Sequence, residues 1–377
     1  MKKLGVAIIG TGMMGQIHAR AARLAGATVR GIAASTPDSA ARAAEALGAE
    51  RAFASADDAF ADPSVDVVHV CTPNATHFQL ALDALNAGKH VVCEKPLATS
   101  VADASRLASA AASAGKVATV PFVYRYHPMV REAKALIDSG AVGALQLIHG
   151  SYLQDWLLGA GDTNWRVHSA LGGPSRAFAD IGSHWCDLVE WVTGERFVSV
   201  VAALQTTIAE RPTGTVKTFS QATPTVTETQ AVTTEDVACA VFRSGNGVLA
   251  NLTVSQVSAG RKNRLWFEVD GADSSVVFDQ EEPERLWVGL RDHTRLLVRD
   301  PSRGSAEQRR LATLPAGHAQ GYSQCFEAFV ADTYAAIGGE LRAGLPTFDD
   351  GLRSASIVEA VLDSSKQSAW TPIRAFT

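Results

Sequence analysis

The chain opens on an apolar strand signal, Leu4 to Ile9, that runs directly into Gly10-Thr11-Gly12-Met13-Met14-Gly15 and then into an alanine-rich helix signal. Each glycine in such a turn has a steric task. The first permits a tight turn, the second lets backbone approach a pyrophosphate, and the third allows close packing of helix on strand. Free N–H groups at the helix start then favour negative charge. The turn, with Met13 and Met14 inside it, reads as a dinucleotide cradle at the first strand of a parallel sheet.

Beyond the turn, strand and helix signals alternate. Helix Gln16 to Leu24, strand Thr28 to Ala33 and helix Asp38 to Leu47 complete a βαβ unit. Strand Val65 to Cys71, helix His77 to Ala87, strand His90 to Cys93, helix Val101 to Ala114 and strand Val117 to Phe122 extend it, with Gly88 and Gly115 closing two helices. Such alternation implies a doubly wound parallel sheet. After a helix at Pro128 to Asp138 the texture changes to strands rich in Val, Thr and Phe: Ala144 to Leu153, Val198 to Thr207, Asp236 to Phe242, Gly247 to Ser255, Leu265 to Val269 and Ser274 to Phe278. The second domain is therefore expected to be α/β with a large, mainly antiparallel open sheet. Helices are expected near Asp180 to Val192, Tyr322 to Ile337 and Gly351 to Ser364. The Thr-rich stretch from Thr206 to Thr234, with Arg211-Pro212 and Thr213-Gly214, reads as a loop or extended arm.

A length of 377 residues exceeds what one core usually serves, so the division is set at 1–122 and 123–377, with the C-terminal helix a candidate to pack back on the first domain. Net charge is −5, and Lys and Arg are scattered without a basic block, which argues against nucleic acid. No apolar run approaches the ~18 residues a membrane helix needs. The two lysines before strand one could imitate a signal peptide, but the apolar run behind them is shorter than a secretory core, so it is expected to be strand one. The five cysteines are odd in number and lack a CxxC pair, so they are expected to be reduced thiols of a cytoplasmic protein.

About twenty residues past the glycine turn an acid is expected to grip the adenine ribose hydroxyls. Ala33-Ala34-Ser35-Thr36 stands there instead. The missing carboxylate removes repulsion against a 2′-phosphate, and Ser35 and Thr36 can hydrogen-bond one, so NAD or NADP is expected, with NADP or dual use favoured. Cys71-Thr72-Pro73-Asn74 ends the third strand signal at the edge where the nicotinamide ribose would lie, with His77 just beyond. On turn chemistry alone a plain helix cap accounts for these residues equally well.

Two further groups carry chemistry. Glu94-Lys95-Pro96 ends the fourth strand signal at the sheet edge where open α/β folds bind ligands. In the second domain, Asp180 and His184 are i and i+4 on a helix beginning near Asp180 and so share a face. Taken alone that pair reads as a helix cap and a structural histidine. No third and fourth ligand spacing marks a metal site. Beside a cofactor turn and a strand-end lysine, the three supply what alcohol oxidation needs: His184 as general base, Lys95 as the cation that stabilises an alkoxide, and Asp180 as orienting partner. The roles of Lys95 and His184 are exchangeable on sequence alone.

In the glycine turn, in Glu94-Lys95-Pro96 and in Asp180-x-x-x-His184, the chain resembles the glucose-fructose oxidoreductase and inositol dehydrogenase family, Gfo/Idh/MocA, over essentially its whole length. The resemblance implies an N-terminal Rossmann domain, a C-terminal α/β domain whose open sheet commonly builds homodimers or homotetramers, and NAD(P)-dependent oxidation or reduction of sugars and polyols. It places the family's catalytic roles on Lys95, Asp180 and His184. Ala34 departs from the acid usual in NAD-binding members.

Candidates for a carbohydrate pocket are Tyr124-Arg125-Tyr126, Asp155-Trp156, Trp165-Arg166 and His318, because planar aromatics cover sugar faces and Arg or Asp pair with hydroxyls. The tryptophans suit packing or a subunit contact equally well. Two other readings stand beside the dehydrogenase. One is redox-assisted glycoside cleavage with cofactor recycling; the other is a non-enzymatic dinucleotide sensor, which would not need all three of Lys95, Asp180 and His184.

Overall fold

The computed structural model describes residues 3–213 and 228–376. Two compact units appear, Met1–Tyr126 with Tyr322–Ala355, and His127–Gly321 with Ser356–Thr377.

The first unit is built on β1 (Gly5–Ile9), α1 (Met13–Leu24), β2 (Thr28–Ala33), α2 (Pro37–Ala46), β3 (Arg51–Ala52), α3 (Ala56–Ala61), β4 (Val67–Val70), α4 (His77–Asn86), β5 (His90–Cys93), α5 (Val101–Ala114) and β6 (Ala118–Thr119). Its six strands are parallel in the order β3-β2-β1-β4-β5-β6, so the expected doubly wound sheet is present. The order reverses between β1 and β4, where such sheets open a crevice at the strand ends. Strands β1, β4 and β5 are almost wholly buried, as β-branched runs covered on both faces must be. Local chemistry sets the helix limits. Thr36 and Ser100 cap α2 and α5 by accepting from Ser39 N and Asp103 N, and Gly115 ends α5 in the left-handed region. Phe348 and Leu352, far along the chain, join this unit's core beside Val91, Leu97, Val120 and Phe122.

The second unit contains α6 (Pro128–Asp138), β7 (Leu145–Leu153), α7 (Ser169–Gly172), α8 (Ser183–Thr193), β8 (Phe197–Gln205), β9 (Glu210–Pro212), β10 (Thr229–Ala231), β11 (Val237–Ser244), β12 (Leu249–Ser255), β13 (Arg264–Gly271), β14 (Ser275–Asp279), β15 (Arg285–Gly289), β16 (Thr294–Val298) and α9 (Ala306–Leu311). Then come α10 (Tyr322–Ile337), which lies in the first unit, α11 (Phe348–Gln367), whose opening turns do, and β17 (Thr371–Pro372). The large sheet runs β16-β15-β14-β13-β7-β12-β11-β8-β17 and is antiparallel except for the parallel pair β12 and β7. Residues largely alternate between its faces. In β11, Ala238, Ala240, Phe242 and Ser244 are buried while Cys239, Val241 and Arg243 are exposed. Helices α6 and α8 lie against the buried face, touching β14 and β15, and β7 and β13, respectively.

The Thr-rich stretch is not wholly a loop. Its described ends pair as an antiparallel ribbon, with Thr229 opposite Pro212 and Ala231 opposite Glu210, and Arg211 is fully buried. Gly214 and the rest of 214–227 lie outside the described residues. No described helix is long and apolar enough to cross a membrane.

Candidate active site

The glycine turn has the form a pyrophosphate requires. Gly10 has φ +110°, and a Cβ there would lie 2.5 Å from Cys71 O; one on Gly15 would lie 2.2 Å from Gly10 O. Both are needed for β1, β4 and α1 to close on one another. Gly12 differs: a Cβ would meet nothing within 4 Å, so its backbone faces open space. Gly12 caps α1 without a side-chain bond, and no acid lies in the first turn, so the helix's leading N–H groups have no local carboxylate competing for them. The residues present fit a dinucleotide. Met13 is exposed and Met14 half-buried at the rim.

At the end of β2, Ser35 is exposed while the Thr36 hydroxyl is committed to Ser39. Arg42 Nη2 donates to Ser39 Oγ at 3.3 Å, which brings a guanidinium to this corner from one turn further on. Sequence spacing does not show that cation, because the motif looks for an Arg immediately after the strand.

Thr72 and Pro73 are half-buried after β4, and Asn74 is buried. His77 binds this turn to the next strand end: Nδ1 lies 2.8 Å from Pro96 O and Nε2 2.8 Å from Thr72 O. Its ring is thereby committed to two carbonyls. Burial lowers its pKa, partly opposed by those acceptors and by Glu94. Lys95 is half-buried, its amide donates to Glu94 Oε2 at 3.1 Å, and the Lys95–Pro96 peptide is cis. Burial opposes ionisation of Glu94, but the hydrogen bond from His18 and the charge of Lys95 outweigh it and hold the carboxyl below its usual range. Tyr124, Arg125 and Tyr126 are all buried in the first unit, Tyr124 beside Tyr322, Tyr126 on Phe329, and Arg125 paired to Asp350 at 2.8 Å.

In the second unit, Asp180 does not sit at the start of a regular helix. Residues Phe178–Gly182 form a wide π turn that leads into α8, a feature that recurs at functional sites. Asp180 is no cap either. Its Oδ1 lies 3.3 Å from Arg166 Nε, and its Oδ2 accepts from Gln256 Nε2 at 2.9 Å. One wide turn on, His184 is buried, with its ring centroid 6.5 Å from that of Tyr152. Behind Gln256 stands a charged network that sequence reading missed. Arg176 donates to Gln256 Oε1 and Thr234 Oγ1 and pairs with Asp236. Asp236 also pairs with Arg211 at 3.1 Å, whose other N–H groups reach Leu157, Gly159 and Asp162 carbonyls. Burial opposes ionisation of Asp236, but the Arg176 bond, the Ile208 amide and the charges of both arginines hold it below its usual range. Asp180 is thus oriented by a chain of side chains rooted in a fully buried ion cluster.

Of the carbohydrate candidates, Trp165 stacks under Arg166, whose guanidinium carbon lies 4.4 Å from the ring centroid, so both stand beside Asp180. Asp155 pairs with Lys262 at 2.6 Å, and Trp156 Nε1 donates to Gln154. His318 is exposed, and its carbonyl accepts from Arg299.

A parallel sheet with an open glycine turn, and a separate unit holding an oriented Asp four residues before a buried His, define a nicotinamide-dependent oxidoreductase. The model of the oxidoreductase family with an NAD-binding Rossmann fold, GFO_IDH_MocA, matches residues 4–122, and the GFO/IDH/MocA C-terminal domain matches 130–277. Levoglucosan dehydrogenase of Pseudarthrobacter phenanthrenivorans is 31% identical over 99% of both chains. Inositol 2-dehydrogenase 3 of Saccharopolyspora erythraea is 34% identical over 52% of this chain and 55% of its own. A levoglucosan dehydrogenase structure in complex with NADH and levoglucosan superposes with TM-score 0.90 at 29% identity over the whole of both chains, and an oxidoreductase domain protein from Kribbella flavida does so with 0.89 at 31%. The chain belongs to the Gfo/Idh/MocA oxidoreductase family. It is an NAD-binding oxidoreductase, and the expected sugar or polyol dehydrogenase is the class to which these relatives belong.

Proposed function

We propose that the protein oxidises a secondary hydroxyl of a cyclic sugar, anhydro sugar or polyol, with residues 1–122 binding the dinucleotide and contributing Lys95, and the second unit contributing Asp180 and His184. The observation that carries this reading is the Asp180 carboxylate, held by Arg166 and Gln256 four residues before buried His184. Gly10, Gly12 and Gly15 would hold NAD, which when bound would supply the hydride acceptor for the carbinol carbon. His184 takes the hydroxyl proton, Lys95 stabilises the negative charge that develops on that oxygen, and Asp180 orients His184 or a neighbouring hydroxyl. Trp165 and Trp156 offer apolar faces for a sugar ring.

Dual use of NAD and NADP is the finer reading. It is supported by Ala34 in place of an acid and by Arg42 beside Ser39. Assembly is proposed through the outer face of the nine-stranded sheet, where Leu147, Val241, Leu249 and Trp287 are exposed. Five cysteines, none of them in a disulfide, support a reducing, cytoplasmic setting.

The test is a panel of monosaccharides, anhydro sugars and inositols followed at 340 nm with NAD and NADP separately. The expected result is stoichiometric reduced cofactor with at least one cyclic polyol. Inactivity with every one of them, in protein that binds NADH, would sink the reading.

A further inference from the structure

Within the first unit, four polar side chains from four elements meet in the core. His18 Nε2 lies 3.0 Å from Glu94 Oε1, His18 Nδ1 lies 2.8 Å from His69 Nδ1, and His69 Nε2 lies 2.9 Å from Tyr334 Oη. His18 and His69 are fully buried, and Glu94 and Tyr334 nearly so. Apolar residues of similar volume would fill this space with less desolvation. The contacts must therefore be judged by their protons.

We propose that Tyr334, His69, His18 and Glu94 form a one-directional hydrogen-bond relay that keeps the Glu94 carboxylate charged beside Lys95, and so sets the pH range over which Lys95 serves the reaction. The inference rests on the role given to Lys95 above. An ionised Glu94 can only accept, so His18 Nε2 carries hydrogen and, in a neutral ring, His18 Nδ1 accepts. His69 must then donate from Nδ1, which leaves its Nε2 to accept from the Tyr334 hydroxyl. Every contact is satisfied by neutral rings, and all three hydrogens point toward Glu94. Protonating Glu94 at Oε1 would require reversing the whole chain and would leave the Tyr334 hydrogen without its acceptor, while Oε2 already accepts from the Lys95 amide. Cooperative chains of this kind resist such reversal.

The surrounding groups leave this pairing undisturbed. Glu94 is faced by His18 from α1, His77 from α4, Cys71 after β4, and Cys93 and Lys95 on its own strand end. Burial, with Glu94 nearby, holds both thiols protonated well above their usual range. His18 is also faced by the Phe326 ring, and Tyr334 by Cys71. Burial holds His69 neutral, and burial and Cys71 hold Tyr334 protonated. Coulomb attraction is mutual, so an anion drawn toward the Lys95 ammonium also favours that ammonium.

Two measurements test this. Long-range 15N–1H correlation spectra of the substrate-free protein should show neutral rings with hydrogen on Nε2 of His18 and on Nδ1 of His69; any other tautomer pair overturns the relay. In pH profiles of kcat/KM on an oxidised polyol, Glu94→Gln and His18→Leu should each pull the alkaline limb down by about half to one pH unit. His18→Gln, which keeps an N–H donor in reach of Glu94, should return it toward the wild-type position. A pH-independent loss in folded Glu94→Gln, with the limb unmoved, overturns the proposal and leaves a packing role. Lys95→Ala separates the two readings: unchanged turnover means the role of Lys95 itself is wrong, whereas a crippled Lys95→Ala with the wrong tautomers means that the relay alone is wrong.

Discussion

The carboxylate of Asp180 is worth as much as the side chains that aim it. Gln256 is fully buried and donates to Asp180 while accepting from Arg176, so Gln256→Leu cuts the link between the carboxylate proposed to act in the reaction and the ion cluster behind it. We expect kcat/KM to fall about ten-fold or more, as it does when an orienting partner is lost, with NADH affinity unchanged by fluorescence titration. Equal activity would show that Arg166 suffices. Removal of His184 itself, as His184→Ala, is expected to cost about 10² to 10⁴ in kcat, the usual contribution of a general base. The residue scale is also where sequence was least informative. Asp180 and His184 could be singled out because four positions on a helix are a local relation. Arg211 could not, because its carbonyl partners Leu157, Gly159 and Asp162 and its ion partner Asp236 are distant in sequence and it lies next to Pro212 within a Thr-rich stretch, which reads as an arm. Likewise nothing local joins His18 to His69 or either to Tyr334. Burial of a charged or hydrogen-bonding group is decided by what the rest of the chain brings to it.

At the scale of the element, the strand and helix signals of the first unit were legible because parallel strands covered on both faces must be continuous apolar runs, and because Gly and Ser mark their helix ends. Two-residue β3, with both side chains exposed, has no pattern to read, and β16 carries Leu296 and Val298 outward. The glycine turn yields a paired prediction. Gly12→Ala has room for its methyl and an ordinary φ of −70°, so the protein should melt as the wild type does, yet the methyl intrudes where the pyrophosphate approaches. NADH affinity should fall about ten-fold or more. Gly15→Ala instead drives a methyl onto Gly10 O and should lower the melting temperature; unchanged affinity in Gly12→Ala would remove the turn from the cofactor site. At the neighbouring β2 end, Ala34→Asp places an anion where a 2′-phosphate would lie. The ratio of kcat/KM for NADP to that for NAD should drop about ten-fold or more, since like charges held together cost over 1 kcal/mol. At the head of α6, His127 sits against Phe278, and burial lowers its pKa to about 4. The unfolded chain then binds a proton that the folded one refuses between about pH 6.5 and 4. Stability from this group is full above that window and is lost as pH falls through it, so urea midpoints should decline from pH 7 to pH 5, and His127→Leu should flatten the decline. An equal slope in the variant would assign acid sensitivity elsewhere.

For the molecule as a whole, the unsolved surface is the outer face of the nine-stranded sheet. Helices cover one side, while strand alternation places Leu147, Val241, Leu249 and Trp287 on the other, each more than a third exposed. Large apolar side chains gathered on one face mark an interaction surface rather than ordinary scatter. Cys239 lies on β11 two residues before Val241, opposite Thr253 and Ala203, and among the five cysteines it alone is exposed. It is therefore a built-in reporter of whether that face is covered. If copies of the chain pair through it, the native protein should elute as a dimer or tetramer, and a maleimide should modify Cys239 slowly at micromolar protein and faster on dilution. Val241→Lys adds a charge to this face, where burying it without a partner is costly. It should shift elution toward the monomer and expose Cys239 to rapid, stoichiometric labelling without lowering the melting temperature of the remaining fold by more than a few degrees. Rapid labelling of one thiol per chain in undiluted native protein would exclude this face as the contact, whatever the elution volume.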